Sequence, residues 1–133
     1  MRLTLLEPEL ITMCRSYIDD IGATVNHHDL FDDVQQACLT RRAFLFGSDD
    51  CFVVVHPNPE RLLVWVGAAW TGSLPSSYVP DFEHLARDIE VPILETWSVR
   101  RGLARILPKQ GFTAYANTWH GTPVTVWRKP LEY

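Results

Sequence analysis

Pro92-Ile93-Leu94-Glu95-Thr96-Trp97-Ser98 and the residues that follow, Val99-Arg100-Arg101-Gly102-Leu103-Ala104-Arg105-Ile106-Leu107-Pro108-Lys109-Gln110-Gly111-Phe112, decide the fold. The first part reads as a short apolar strand. The second reads as an amphipathic helix whose basic face carries Arg101, Arg105 and Lys109. Gly111 then stops the helix, because glycine enters the left-handed region without steric cost. Upstream, Phe82, Leu85, Ala86 and Ile89 recur at i, i+3, i+4 and i+7, which predicts another helix starting near Pro80. Before it lies the most apolar run of the chain, Arg61-Leu62-Leu63-Val64-Trp65-Val66-Gly67-Ala68-Ala69-Trp70. Its near-continuous character predicts a central strand buried on both faces. Strand, helix and strand in succession make a parallel crossover.

The remaining elements attach to this crossover. Arg2–Leu6 reads as a short first strand, and Pro8 suits the first turn of a helix. Leu10, Cys14, Tyr17, Ile18 and Ile21 continue that helix to a stop at Gly22. After Asn26 a second helix places Leu30, Phe31, Val34, Cys38 and Leu39 on one face. Ala43–Phe46 and Cys51–His56, separated by turns, form antiparallel hairpins with the central run. Thr113–Trp119 and Val124–Lys129 make the last hairpin. The expected order is β-α-α-β-β-β-α-β-α-β-β, a mixed α/β sheet flanked by helices in one domain, 1–133.

At 133 residues, 47% apolar and 21% charged, the chain can bury a core without metal or disulfides. A net charge of −4 argues against a general nucleic-acid binder. The three cysteines, Cys14, Cys38 and Cys51, form no Cys-x-x-Cys pair and read as small buried hydrophobes. The adjacent His27 and His28 lack the i, i+4 spacing of a helical metal site, so no metal is expected. Met1–Glu9 is broken by acids and proline before a signal core forms, and no run reaches membrane-spanning length. An intracellular location, cytoplasmic or within a virion, is the expectation.

The strand Val64-Trp65-Val66 and the late strand-helix-Gly111-Phe112 unit, in this order, resemble the GNAT superfamily of acetyl-CoA-dependent N-acyltransferases. Within it, the chain looks like small GNAT-like proteins of phages and prophages, including internal virion proteins. The resemblance implies that Leu62–Trp70 and Pro92–Ser98 run parallel and splay apart. It also implies that the pantetheine arm of acetyl-CoA pairs with backbone groups of Val66, Gly67, Ala68 and Trp70. The loop that would hold the pyrophosphate is Thr71–Pro80, where Gly72, Ser73, Ser76 and Ser77 are the candidate anion ligands. That loop contains Pro75 and Pro80 and no basic residue, and a polar loop capping a helix is the alternative. Trp70 and Trp97 flank the cleft, either as an aromatic wall or as side chains that fill it.

For catalysis, Glu95 within the strand and His56 are the candidate bases, although Glu95 could equally pair with an arginine. The tyrosine that many GNAT enzymes use as acid corresponds to Leu107, and a common asparagine to Arg100. Tyr78, Tyr115 and Ser98 are the substitutes for the acid. Two functions follow. One is a non-catalytic structural or binding component associated with a virion, with virion or host proteins as partners. The other is an acetyl-CoA-dependent N-acyltransferase acting on an amine. The depleted loop and the missing tyrosine favour the first.

Overall fold

Among the residues that the computed structural model describes, 1–73 and 75–132, eight strands form one mixed sheet. The order across it is β1 (Thr4–Leu5), β2 (Phe44–Gly47), β3 (Cys51–Pro57), β4 (Leu62–Ala69), β6 (Ile93–Ser98), β8 (Thr122–Pro130) and β7 (Thr113–Trp119). A short β5 (Gly72–Ser73) pairs on β4. Pairing from β1 to β4 is antiparallel, β4 with β6 is parallel, and β6, β8 and β7 are again antiparallel. The parallel pair follows from the crossover helix α3 (Val79–Asp88), which carries the chain back over the sheet. Among the described residues no helix is long and apolar enough to cross a membrane.

Both faces of the sheet are covered, which is why Cys51 through Val55 are all buried. Helices α1 (Arg15–Thr24) and α2 (Leu30–Leu39) pack Ile18, Leu30 and Val34 against Phe52, Val54 and Val66. Helix α3 packs Phe82 and Ala86 against Val53, Val64 and Leu94 on the opposite face. Side chains alternate along a regular strand, so Val64 and Val66 should share a face. They do not: Val64 belongs to the α3 side and Val66 to the α1–α2 side. The cause is a bulge. Val54 lies opposite Val66 while Val55 lies opposite Val64, leaving Trp65 as the extra residue of β4. A bulge bends its strand and increases local twist. Here it coincides with the point where β4 parts from β6.

Several boundaries differ from the sequence expectation. Pro8–Cys14 is a 3-10 segment, and the α-helix begins only at Arg15. Gly22 does not stop that helix, which runs on to Thr24. Gly22 is buried, and a Cβ there would stand 2.5 Å from the His27 carbonyl oxygen, so its role is close approach. The stop falls near Asn26, in the left-handed region at φ 56°. The basic helix expected after β6 is instead two 3-10 segments, Arg101–Arg105 and Leu107–Gln110. Pro108 has no N–H to give to the Ala104 carbonyl, and Gly102 weakens the turn before it, so an α-helical ladder cannot propagate. Gly111 does adopt the left-handed conformation, φ 94°, and Phe112 is buried behind it.

Candidate active site

Parallel pairing of β4 with β6 covers Leu62 with Leu94, Leu63 with Glu95 and Val64 with Thr96, and then ends. The Thr96 hydroxyl donates to the Val64 carbonyl oxygen at 3.1 Å, closing the last pair. Further along the same edge, β5 pairs with Ala68 and Ala69. Between the two lies a stretch of β4 edge, Trp65 to Gly67, that neither β6 nor β5 pairs. Ser98 and Trp97 meanwhile stay hydrogen-bonded to β8, so β6 turns away from β4 rather than fraying.

A cleft of about 360 Å³ opens at this wedge, lined by residues from both faces of the sheet. On the α3 side its walls are Val79, Phe82, Leu103, Leu107 and Phe112. On the opposite side they are Asp20 and Thr24 of α1 together with Trp65, Trp97 and Trp119. Ser76, one residue into the short turn that leads to α3, and Arg100, just past β6, stand at the rim. Apolar walls with a few polar groups suit a small organic ligand.

The sequence-expected ligands divide. Val66, Gly67 and Trp97 line the cleft. Ala68 does not, and its edge is taken by Ser73 of β5. Trp70 is also outside the lining. Its indole packs on Tyr17 and Phe52 at centroid distances of 5.4 and 5.7 Å, and its carbonyl accepts from the Tyr17 hydroxyl. It therefore neither walls nor fills the cleft, and the opening remains although Trp97 borders it. The backbones of Gly72 and Ser73, expected in a phosphate loop, form the β5 strand, and the Ser73 side chain lies outside the described residues. So does the Arg101 side chain.

The candidate catalytic groups sit elsewhere. Glu95 is buried and lies outside the cleft lining. Its Oε1 accepts from Arg61 Nη1 at 2.9 Å and from Arg128 Nε at 2.5 Å, and its Oε2 accepts from the Trp97 indole N–H at 2.8 Å. Burial alone would raise its pKa, but these donors outweigh it and hold the carboxyl below the usual carboxylate range. The arginine-paired alternative is the arrangement observed, and a carboxylate so held is a weak proton acceptor. Tyr78 is in the α3-side core, bonded to the Ser48 hydroxyl at 2.8 Å and covered by the Arg2 guanidinium at 3.8 Å. Tyr115 lies on β7 beside Arg128, outside the lining. His56 packs edge-on against Trp65. Of the named substitutes for the acid, only Ser98 borders the cleft, along with Leu107 itself. Burial pushes the Cys14 and Cys38 thiols up to about 11, which removes them as nucleophiles near neutral pH.

No family model and no curated protein sequence matches this chain. Solved structures do. A Desulfovibrio desulfuricans protein described as a GNAT-family acetyltransferase superposes with a TM-score of 0.69 at 13% identity, over 96% of this chain and 97% of that one. A GNAT-family acetyltransferase of Streptococcus agalactiae gives 0.68 at 14% identity, over 98% and 95%. The fold is the GNAT fold. An Elizabethkingia anophelis GNAT acetyltransferase with acetyl-CoA bound gives 0.58 at 13% identity, over 77% of this chain and 82% of that one. The free edge of Trp65–Gly67 offers unpaired backbone groups to an extended amide chain, in the manner of an added strand.

The sequence did not place Asp20, Trp65 or Trp119 at the cleft, and Arg100 entered only as the counterpart of an asparagine. Trp119 reaches the cleft from the end of β7, where it packs against Trp97 at 6.2 Å and His27 at 5.7 Å. Asp20 reads in the sequence as one of several acids on a solvated helix face. No local pattern distinguishes it; only the packing of α1 beside β4 brings it to the opening.

Proposed function

We propose that this chain is an acetyl-CoA-dependent N-acyltransferase. One observation carries the reading: an unpaired stretch of β4 edge opens on a cleft lined from both faces of the sheet, which gives a thioester arm and an amine room to meet. Acetyl-CoA would supply an acyl group activated as a thioester: the amine nitrogen forms the C–N bond, the C–S bond breaks, and the proton lost by nitrogen balances the departing thiolate. The chain's own contribution is positioning. Gly67 and Val66 hold the arm by backbone pairing, and Phe82, Leu103 and Leu107 keep water from the reacting centre. Arg100 supplies a cation at the rim where phosphates would emerge. No tyrosine acid is required, because a thiol of the cysteine kind titrates near about 8.5 and leaves readily as thiolate.

The second reading, a non-catalytic component of a virion, draws its support from β5, which uses the Ala68–Ala69 edge, and from a loop without basic residues. A thiol-release assay separates the two. With acetyl-CoA and a mixture of primary amines, the acyltransferase releases free CoA thiol in an amine-dependent manner. CoA at 100 times its Kd also stabilises the chain by about 2.7 kcal/mol. The absence of both thiol release and stabilisation at millimolar CoA would overturn the first reading in favour of the second.

A further inference from the structure

We propose that β7 pairs edge to edge with β7 of a second copy of this chain, antiparallel and about a two-fold axis at Ala116, so that two sheets become one. The inference stands independently of the acyltransferase reading. β7 ends the sheet on one side, and among the described residues its only strand partner is β8. Thr113 through Thr118 are all exposed, so neither face of the strand is covered there. Thr113-Ala114-Tyr115-Ala116-Asn117-Thr118-Trp119 carries no charge, proline or glycine, and its register with β8 runs without a bulge. Charges, prolines and bulges are the devices that keep an open edge from pairing, and this edge has none of them. The opposite edge is blunt: β1 is two residues long, and Pro8 follows soon after.

The hairpin turn fixes which backbone groups of β7 point outward. His120 and Gly121 both have positive φ, 48° and 79°, as a type I′ turn requires, so Trp119 and Thr122 close the loop as a hydrogen-bonded pair. Backbone groups alternate sides along an antiparallel strand, so Ala114, Ala116 and Thr118 direct N–H and C=O away from β8. The Thr118 N–H agrees, since it donates to Asn117 Oδ1 at 2.8 Å rather than to β8. A two-fold axis at Ala116 sets Ala114 opposite Thr118 and Ala116 opposite itself, and these are the outward residues. Roughly six hydrogen bonds form across the seam, one of them replacing the exposed Thr118–Asn117 bond. The side chains accept this register: Tyr115 meets Asn117, Thr113 meets Trp119, and no like charges face each other. The strand is thus its own complement, which is the reason for a second copy as occupant. An isologous contact also consumes the open edge of both chains and closes at two. A seam of one strand per chain is small beside a stable dimer interface, so association of micromolar strength is expected. Two strands, β6 and β8, separate the seam from β4 and leave the wedge free.

Sedimentation equilibrium of the full chain tests this. The expected result is a monomer–dimer equilibrium with a dissociation constant on the order of 10 μM. Ala116→Lys and Ala116→Glu each set like charges against one another at the axis, and each should weaken dimerisation about tenfold. An equimolar mixture of the two variants should associate at least as tightly as wild type, because the axis then opposes Lys to Glu. A reading on wild type alone avoids any effect of substitution on folding: the Ala114 and Ala116 amides should exchange more slowly as concentration rises through that range, while the Tyr115 amide, directed at β8, does not change. A wild-type chain that stays monomeric at about 1 mM, a dimer indifferent to Ala116→Lys, or a mixture no tighter than either variant alone overturns the assignment.

Discussion

Replacing Gly67 with leucine is expected to remove nearly all of the stabilisation by CoA that the proposed function predicts for the wild-type chain. Gly67 borders the cleft in the unpaired stretch of β4, between Val66 and Ala68, both of which belong to the α1–α2 core. A side chain at Gly67 therefore projects to the α3 side, into the space an extended arm would occupy along that edge. A side chain suits a strand better than glycine does. The unliganded variant should thus unfold at nearly the wild-type temperature. On the proposed function, wild type with CoA at 100 times its Kd should gain about 2.7 kcal/mol, roughly 10 °C in a domain of this size. A hundredfold loss of affinity reduces the gain at the same CoA concentration to about 0.4 kcal/mol, or roughly 1–2 °C. Differential scanning fluorimetry with and without CoA reads both quantities. A Gly67→Leu chain that keeps the full shift would mean that CoA does not run along β4.

Glu95→Gln is expected to cost stability rather than chemistry. The carboxylate is buried and accepts from Arg61, Arg128 and Trp97, so the amide leaves a guanidinium charge without its counter-ion. Removing one member of a buried ion pair typically costs about 3–5 kcal/mol. Arg61 and Arg128 keep 30% and 38% of their side-chain surface in water, which places the expected loss at the low end, about 3 kcal/mol. The pH dependence carries the same signature. Because the folded-state pKa is depressed, the contribution of Glu95 is present above the ordinary carboxylate range and is lost as pH falls through the folded value. Urea denaturation from pH 7 downward should show wild-type stability falling through that acidic window, with Glu95→Gln lower at pH 7 and flatter below it. A variant as stable as wild type but unable to release CoA thiol would instead make Glu95 the base.

The sheet was legible because its signals are local. The apolar run Leu62–Trp70, the helical spacing of Phe82, Leu85 and Ala86, and Gly111 each specify their own conformation. The parallel pair follows from their order. The bulge at Trp65 was hidden by the same apolar run that revealed the strand: where every residue is hydrophobic, no alternation exists to be broken. The segment after β6 was misread because Leu103 and Leu107, four apart, suit an α-helix. Pro108 was the contrary signal, and it prevailed. Short β5 has no sequence signature at two residues long. The site was less legible than the fold. Trp97 and Glu95 share a face by period two, but the arginines that fix Glu95 lie 34 and 33 residues away in sequence. Trp119 and Asp20 meet at the opening only through tertiary packing.

The central claim is that the Trp65–Gly67 edge is open in the free chain and is paired by the CoA arm when it binds. Amide hydrogen exchange followed residue by residue, with and without saturating CoA, measures this directly. Within Trp65–Gly67, amides directed at the cleft should exchange quickly in the free chain and gain strong protection with CoA, while Leu63 and Val64, already paired with β6, stay protected throughout. Cleft-facing amides protected equally in both states, or unaffected by CoA, would contradict it.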